Sequence, residues 1–551
     1  MKQRSFFLVL LIVVISMLTV AGSIFAWTLR SGPLSLATAG LLREPQAPLL
    51  VPKQSPLMFS LLVNPDSLES LTSSRVPIWQ RARVQRDIRQ LEINLLKSTG
   101  LDYRKEIRPW IGQEITLAVT SLDYDHNSVN GVEPGYLLAV ETKNPELSKE
   151  FLQAAYSKNA LKRNSQLKFE SYKGVNIITQ NLLNSKPDKF LTSSAVLADF
   201  VLFANRPKIL REAINTLQVN NLSLKKSPLY SRALESVEPS RLGLVYANLP
   251  LVSAWLGNVA APADSKIVQT LTVNLTLDQG GLIAQTALIN DNLSDSSEPI
   301  LSEPVGALEY VPSSSIVSLS GSDLPALWDK IDKELSDNSP LQQILNDALR
   351  RLENRLGQIT ITQDVFPWVK GEFALAVIDN SKSESPDWLF AVERKPEVDS
   401  GIENLNKMAL EQGLSLGSLS VLGHQATVWS EFESDQDSSN LSTLVKGIHA
   451  TVENYEIFAS SIETLKVAIR ASTHSNLALL QSSLPKNNDG YFYLNWEKFL
   501  PLLAKKYPIT TVAQLPLEPL LEHLKSLMLS SMGRKDGVGR ATVYFNLSST
   551  K

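Results

Sequence analysis

Cysteine is absent from all 551 residues. That absence removes disulfides, thiolate nucleophiles, iron–sulfur clusters, cysteine-ligated zinc and the acylated cysteine of lipoproteins. Histidine is scarce: His126, His424, His449, His474 and His523 are the whole set, no two stand four apart, and no His-Glu-x-x-His occurs. A zinc hydrolase therefore has no visible ligands. A surplus of charge is missing as well, since 53 basic and 56 acidic side chains leave a net charge of −3. Neutralising a phosphate backbone needs a large positive excess, so nucleic acid is not an expected partner. Neither a Walker lysine loop nor Gly-x-Gly-x-x-Gly is present, and no nucleotide or other cofactor is expected.

What the chain does have is apolar material, 43% of residues, enough for more than one core at roughly 100–200 residues per domain. From Phe6 to Leu29 no charged residue occurs. As a helix at 1.5 Å per residue that run spans about 36 Å, slightly more than a hydrocarbon core of roughly 30 Å. Lys2 and Arg4 precede it, which predicts a single-pass anchor with a cytoplasmic N-terminus and the bulk of the chain on the far side of the membrane. A signal peptide cleaved near Ala37-Thr38-Ala39 is the alternative, disfavoured by the length of the run. Residues 1–29 are thus read as cytoplasmic start and anchor, and residues 30–50, with Pro33, Pro45, Pro48, Gly32 and Gly40, as an extended tether.

Beyond the tether the sequence reads as one unit written twice. Pro109-Trp110-Ile111-Gly112-Gln113-Glu114 returns as Pro367-Trp368-Val369-Lys370-Gly371-Glu372. Tyr136 to Glu141 returns as Trp388 to Glu393, and Gly243, Tyr246 and Asn248 as Gly490, Tyr493 and Asn495. The matches keep their order, which predicts tandem repeats at 51–290 and 305–551 joined by the polar stretch 291–304. Each repeat offers short β-branched and aromatic runs, among them Leu57–Val63, Ile115–Thr120, Tyr136–Thr142, Val175–Thr179, Phe200–Ala204 and Gly243–Ala247. Helices are expected where Val84, Ile88, Leu91 and Leu95, or Leu341, Leu345, Leu349 and Leu352, recur at helical spacing, and again over 207–217. Leu271–Leu277 and Leu282–Asn290 form a hairpin pattern, echoed around Lys535-Asp536-Gly537. Strands that follow one another without intervening helices predict antiparallel pairing, hence an α+β class of mostly antiparallel sheet packed with helices.

The Pro-Trp-x-x-x-Glu motif, Gly100-Leu101-Asp102-Tyr103 and the opening Val51-Pro52-Lys53 together resemble the domain-of-unknown-function family 3352, uncharacterised proteins of cyanobacteria with an N-terminal anchor. The resemblance covers nearly the whole chain after the tether. It implies a periplasmic or thylakoid-lumen setting and attaches no catalytic residue to any position. In the second repeat Gln358-Ile359-Thr360 stands where Leu-Asp-Tyr would, so a role for Asp102 is not duplicated.

Chemical motifs resolve into structural readings. Trp110 and Trp368 are expected to seal a sheet edge or core corner rather than to stack on a ligand. Glu114 and Glu372 recur singly and do not make a hydrolytic pair, so they are expected to be capped or salt-bridged surface groups. Gly413-Leu414-Ser415-Leu416-Gly417 matches Gly-x-Ser-x-Gly, but a helix-like run precedes it and a strand-like run follows, the reverse of a nucleophile elbow. Asp123-Tyr124-Asp125-His126-Asn127 begins like a calcium loop, yet Ser128 and Pro134 occupy the glycine and glutamate positions. Arg75, Arg81, Arg83, Arg86 and Arg89 form a basic face, solvated or set against anionic lipid near the anchor. No catalytic, cofactor or metal residue is nominated. The leading expectation is a non-catalytic, membrane-tethered extracytoplasmic binding or scaffold protein with a protein partner. The alternatives are a carrier or sensor of lipid or another apolar ligand, and an enzyme with an unrecognised carboxylate site between the repeats.

Overall fold

The computed structural model describes residues 41–64, 102–125, 133–163, 165–182, 191–256, 269–278, 281–290, 301–334, 353, 359–379, 386–434, 441–471, 477, 481–482, 484–499 and 524–546. The apolar run Phe6–Leu29, the arginine-bearing helix pattern near Val84, the pattern Leu341–Leu352, and His126 with Asn127 lie outside these residues. Among the described residues no helix is long and apolar enough to cross a membrane.

Among the described residues, ten strands of the large sheet lie between residues 57 and 290. They are β1 (Leu57–Leu61), β2 (Ile111–Ser121), β3 (Gly135–Thr142), β4 (Ser165–Tyr172), β5 (Val175–Leu182), β6 (Ser193–Leu197), β7 (Phe200–Ala204), β8 (Gly243–Asn248), β9 (Gln269–Asp278) and β10 (Gly281–Asn290). Ten more follow from residue 315. They are β11 (Ser315–Ser322), β12 (Glu372–Ile378), β13 (Asp387–Glu393), β14 (Ser415–Val421), β15 (His424–Ser434), β16 (Leu441–Val452), β17 (Tyr455–Ala459), β18 (Tyr491–Asn495), β19 (Ser526–Lys535) and β20 (Val538–Asn546). Every pairing is antiparallel, as expected for strands joined by short turns. The hydrogen-bonded order in the first half is β4-β5-β6-β7-β3-β2-β1-β8-β9-β10. In the second half it is β14-β15-β16-β17-β13-β12-β11-β18-β19-β20, the same order with each label raised by ten. The halves meet where β10 pairs with β20, from Gly281 opposite Asn546 to Ile289 opposite Val538, which makes one 20-stranded sheet.

Alternation fixes which side chains point to which face. On β3, Leu138 and Val140 join Trp110, Ile115, Leu152 and Phe203 under helix α1 (Pro145–Arg163). Their neighbours Leu137 and Ala139 face the opposite way, towards helices α2 (Pro207–Gln218) and α3 (Pro228–Glu235). The second half repeats the arrangement with α6 (Pro396–Glu411) on one face and α7 (Ile462–Ala471) on the other, while α4 (Leu249–Leu256) and α5 (Leu324–Glu334) follow β8 and β11. Both faces are covered, so the sheet reads as apolar on both sides along its central strands. A further cluster belongs to neither half alone: Phe59, Val245, Val273 and Leu282 pack with Leu524, Val543 and Phe545.

The chain stretch expected to be tether is docked from Leu41 onward. Leu41 and Leu42 pair with Arg241 and Ser240, and a 3-10 turn at Ala47–Leu49 is buried against the fold. Its apolar content explains this, because Ala47, Leu50 and Val51 lose nearly all contact with water.

Phe545 lies in the cluster shared by both halves, so Phe545→Ala is expected to cost about 3–5 kcal/mol. Hydrogen exchange should report equal loss of protection in β2 and β12. Loss confined to β12 would show that the seam does not couple the halves.

Candidate functional site

A single π-type turn, Tyr103–Ile107, precedes the first Pro-Trp motif, and another, Ile361–Val365, precedes the second. Each places the indole to donate back along the chain: Trp110 Nε1 to the Glu106 carbonyl at 2.6 Å, Trp368 Nε1 to the Asp364 carbonyl at 2.7 Å. Glu106 also accepts from the Asp102 amide, and Asp364 from the Thr360 amide, so the same lock is built with different carboxylates. Trp110 is fully buried and Trp368 packs against Gly401 of α6, where a Cβ would stand 2.5 Å from the ring. Both tryptophans are core corners, as expected from their place before a strand. Asp102 caps its turn through the Lys105 amide.

Glu114 is not the surface group expected. It has no exposure to solvent, and its carboxylate accepts from the amides of Gln46 at 2.7 Å and Ala47 at 2.9 Å and from the Thr116 hydroxyl at 2.9 Å. Glu372, half-buried, does the same for the amides of Gly306 at 2.7 Å and Ala307 at 3.3 Å and for the Tyr455 hydroxyl at 2.7 Å. In each half this carboxylate satisfies the orphan donors at the start of a short 3-10 helix that carries the chain onto the sheet. A second carboxylate stands behind each. Glu141 accepts from the amides of Gln113 and Glu114, and Glu393 from that of Glu372. Gly112 and Gly371 make room for them: a Cβ would stand 2.6 Å from Glu141 Cγ and 2.5 Å from Glu393 Oε2. Arg43 forms an ion pair with Glu141, and Lys395 one with Glu393 at 3.4 Å.

These carboxylates are two to a half, closer to an acid–base constellation than their spacing implied. Burial pushes the Glu114 pKa up, against the lowering effect of its hydrogen bonds, and the Glu141 charge adds to the rise. Desolvation therefore outweighs the three donors, although each hydrogen bond to a charged group contributes roughly 1.5–3 kcal/mol. A general base must reach its substrate within about 3 Å. Glu114 has no surface to offer and its lone pairs are already engaged, so it acts as a clamp on the incoming strap.

Sequence reasoning missed one buried pair. His449 on β16 and Glu456 on β17 are diagonal neighbours across a hairpin, with Nδ1 2.5 Å from Glu456 Oε1. Glu456 Oε2 accepts from Thr451 at 2.7 Å and lies 3.6 Å from Arg394. The ring stacks on Phe458 and tilts against Trp429, and Nε2 is buried without a hydrogen-bond partner. The pair was readable from the turn Glu453-Asn454, which sets Thr451 opposite Glu456 and so places His449 diagonal to that glutamate. Ser415 opens β14 directly after α6, with Gly413 at φ +82°, so helix precedes strand and no nucleophile elbow is formed. Asp123 to Asp125 begin a loop that returns at Glu133, whose carbonyl accepts from the Tyr124 amide. Among the described residues no cluster of metal-ligating side chains occurs. Val140 and Val392, where an apolar cavity would have favoured a lipid carrier, are fully buried in packed clusters.

Glu114→Gln tests the clamp through pH. A raised folded-state pKa means the native state holds the proton more tightly than the unfolded chain, so stability falls as pH rises from the ordinary glutamate range through the higher folded value. Chemical denaturation should show the wild type losing stability relative to Glu114→Gln across that window and levelling off above it. A relative gain over the same window would contradict a buried, desolvated carboxylate.

No functionally curated protein matches the chain. Among solved structures, "Structure of crystal form I of TP0453" is 11% identical, covers 46% of this chain and 83% of its own, and superposes with a TM-score of 0.25, too low to carry an argument. The family described as "Protein of unknown function (DUF3352)" matches residues 10–547, and the chain belongs to it.

Proposed function

We propose that the protein is a non-catalytic scaffold, tethered to a membrane by Phe6–Leu29, whose folded part lies outside the cytoplasm and binds a protein partner by strand addition. The observation that carries this reading is the contrast between the two ends of the sheet. Among the described residues β4 and β14 each pair on one side only. Edge strands are normally blunted by charge, proline or bulges, because their free amides and carbonyls recruit other chains. β4 carries Lys168 and Glu170, and Glu170 pairs with Arg211 at 3.6 Å. β14 reads Ser-Leu-Gly-Ser-Leu-Ser-Val, without charge or proline, and is exposed from Leu416 to Ser420. Leu416, Leu419 and Leu422 stand at 37, 40 and 46% exposure, with Phe432 of the adjacent strand at 59%. Such an edge offers main-chain hydrogen bonds for affinity and side-chain pockets for selectivity.

The same reading includes descent of the two halves from one duplicated unit. Support comes from the shared strand order, the paired Trp–carbonyl locks and the Glu114 and Glu372 clamps. On this account β4 and β14 are equivalent edges of which only the second has lost its charges, so one half binds and the other is guarded. An enzyme reading has less support, since the recurring carboxylates are spent on backbone amides.

A photo-crosslinking residue at Ser418, introduced into the full chain in native membranes, is expected to capture one protein species. Ser418→Lys together with Leu419→Lys should abolish co-purification of that species, whereas Gln166→Lys on β4 leaves it unchanged. Retention of the partner by the double β14 variant, or lipid as the captured species, would refute strand addition. Protease added outside intact spheroplasts should digest the residues beyond 41, and their protection would reverse the topology.

A further inference from the structure

A cleft stands apart from the sheet edge, where α3 and the turn after it meet the docked N-terminal strap. Arg241 is only 3% exposed there, at the end of the pairing with Leu41. Its Nε donates to the Pro239 carbonyl at 3.1 Å and its Nη2 to the Glu238 carbonyl at 3.0 Å. Its Nη1 is buried with no hydrogen-bond partner, and no ion pair to it is formed among the described residues.

The second half supplies an internal control. Gly243 recurs as Gly490, and at the same offset Arg241 recurs as Asn488, which bridges to Leu301 as Arg241 does to Leu41. Asn488 Nδ2 donates to the carbonyls of Pro485 at 2.7 Å and Lys486 at 3.0 Å, the counterparts of Glu238 and Pro239. Asparagine is thus sufficient to hold this turn. The guanidinium brings a buried positive charge and a spare donor that the turn does not use, and burying an uncompensated charge is costly. Burial lowers the Arg241 pKa from the usual arginine value, the direction that an added anion would reverse.

Arg241 lines a cleft of about 490 Å³, within the range of small-molecule sites. Lys225 contributes a second cation, held by Gln46 Oε1 at 2.7 Å. Tyr230 contributes a hydroxyl that is buried and without a partner, its ring set edge-on to Tyr246. The recurrence offset puts Leu477 opposite Tyr230, so this second spare donor is also confined to the first half. Pro45, Leu234 and Val237 supply an apolar wall. Glu44 and Glu235 line the cleft too, but both are exposed, so water screens their charges far more than it screens Arg241.

We propose that this cleft binds a small amphiphilic anion, a carboxylate or phosphate monoester on a short apolar body, with the oxyanion received by Arg241 Nη1 and the Tyr230 hydroxyl. Arginine suits either oxyanion because its donors match their geometry and it stays charged when buried. The two sources of that chemistry are separated by the choice of probe.

Calorimetry on the full chain in nanodiscs, with hexanoate, hexyl phosphate, inorganic phosphate and hexanol as probes, tests the site. At least one of the first two should bind, hexanol should not, and inorganic phosphate should bind at least tenfold more weakly than hexyl phosphate. Arg241→Asn should keep the wild-type melting temperature and weaken binding at least tenfold, and Tyr230→Phe should weaken it severalfold. Absence of binding by both anions, or affinity unchanged in Arg241→Asn, overturns the site. Equal affinity for inorganic and hexyl phosphate overturns the apolar body. Failure of Arg241→Asn to fold overturns the claim that asparagine suffices for the turn, and Tyr230→Phe then reads the binding by itself.

Discussion

The backbone ladder between β10 and β20 is the constraint on which the rest of the architecture depends. Nine residue pairs join the halves through main-chain hydrogen bonds, which hold whatever the side chains are. Without it each half would end in an exposed strand with almost no charge, β10 with none and β20 with only Arg540. With it the sheet has two open ends instead of four, and the apolar cluster around Val273, Leu282, Val543 and Phe545 is closed from both sides. The different fates of the remaining ends, β4 charged and β14 bare, acquire meaning only because the central ones are paired away.

A second theme is the use of buried carboxylates as backbone acceptors. Glu114 and Glu372 receive the first amides of the strap and of the junction, and Glu141 and Glu393 receive the amides of the strands that bear those glutamates. The arrangement trades desolvation of a charge for fixed register at the point where each half begins. Tyr455 in the second half and Thr116 in the first each add a hydroxyl donor to the carboxylate, so the two clamps agree in function while differing in chemistry. Burial drives the pKa of Tyr455 upward, and its hydrogen bond to Glu372 adds to the rise.

Legibility in the sequence followed the strength of the pattern. Strands β1, β3, β7, β8, β9 and β10 and helix α2 were readable within a few residues, because β-branched and apolar runs were bounded by glycine, proline or asparagine. Strands β4 and β6 were not, since Ser165–Tyr172 is mostly polar and Ser193–Leu197 offers only three apolar residues. Helix α1 was missed for a similar reason: Leu147, Phe151, Leu152, Ala155 and Tyr156 keep a stripe, but lysines and asparagine dilute it. The reading of Glu114 failed because glutamate is almost never buried unless paired, and its partners are amides that leave no trace in composition. Arg241 was invisible for the same reason, its two bonds going to carbonyls three and two residues back.

Separating the two strands of the seam by 249 residues, Ile289 to Val538, sets a schedule for biogenesis. Ile289 of β10 leaves the ribosome well before its partner Val538 and the rest of β20 are made. At roughly 5–20 residues per second, the uncharged face of β10 waits on the order of ten to fifty seconds for its neighbour. Long-range pairing of this kind is slow to nucleate, and a bare strand in the interval invites wrong partners. Accurate assembly of this chain therefore demands that something shield Leu282 to Ile289 during translation, a burden that ends only when β20 arrives.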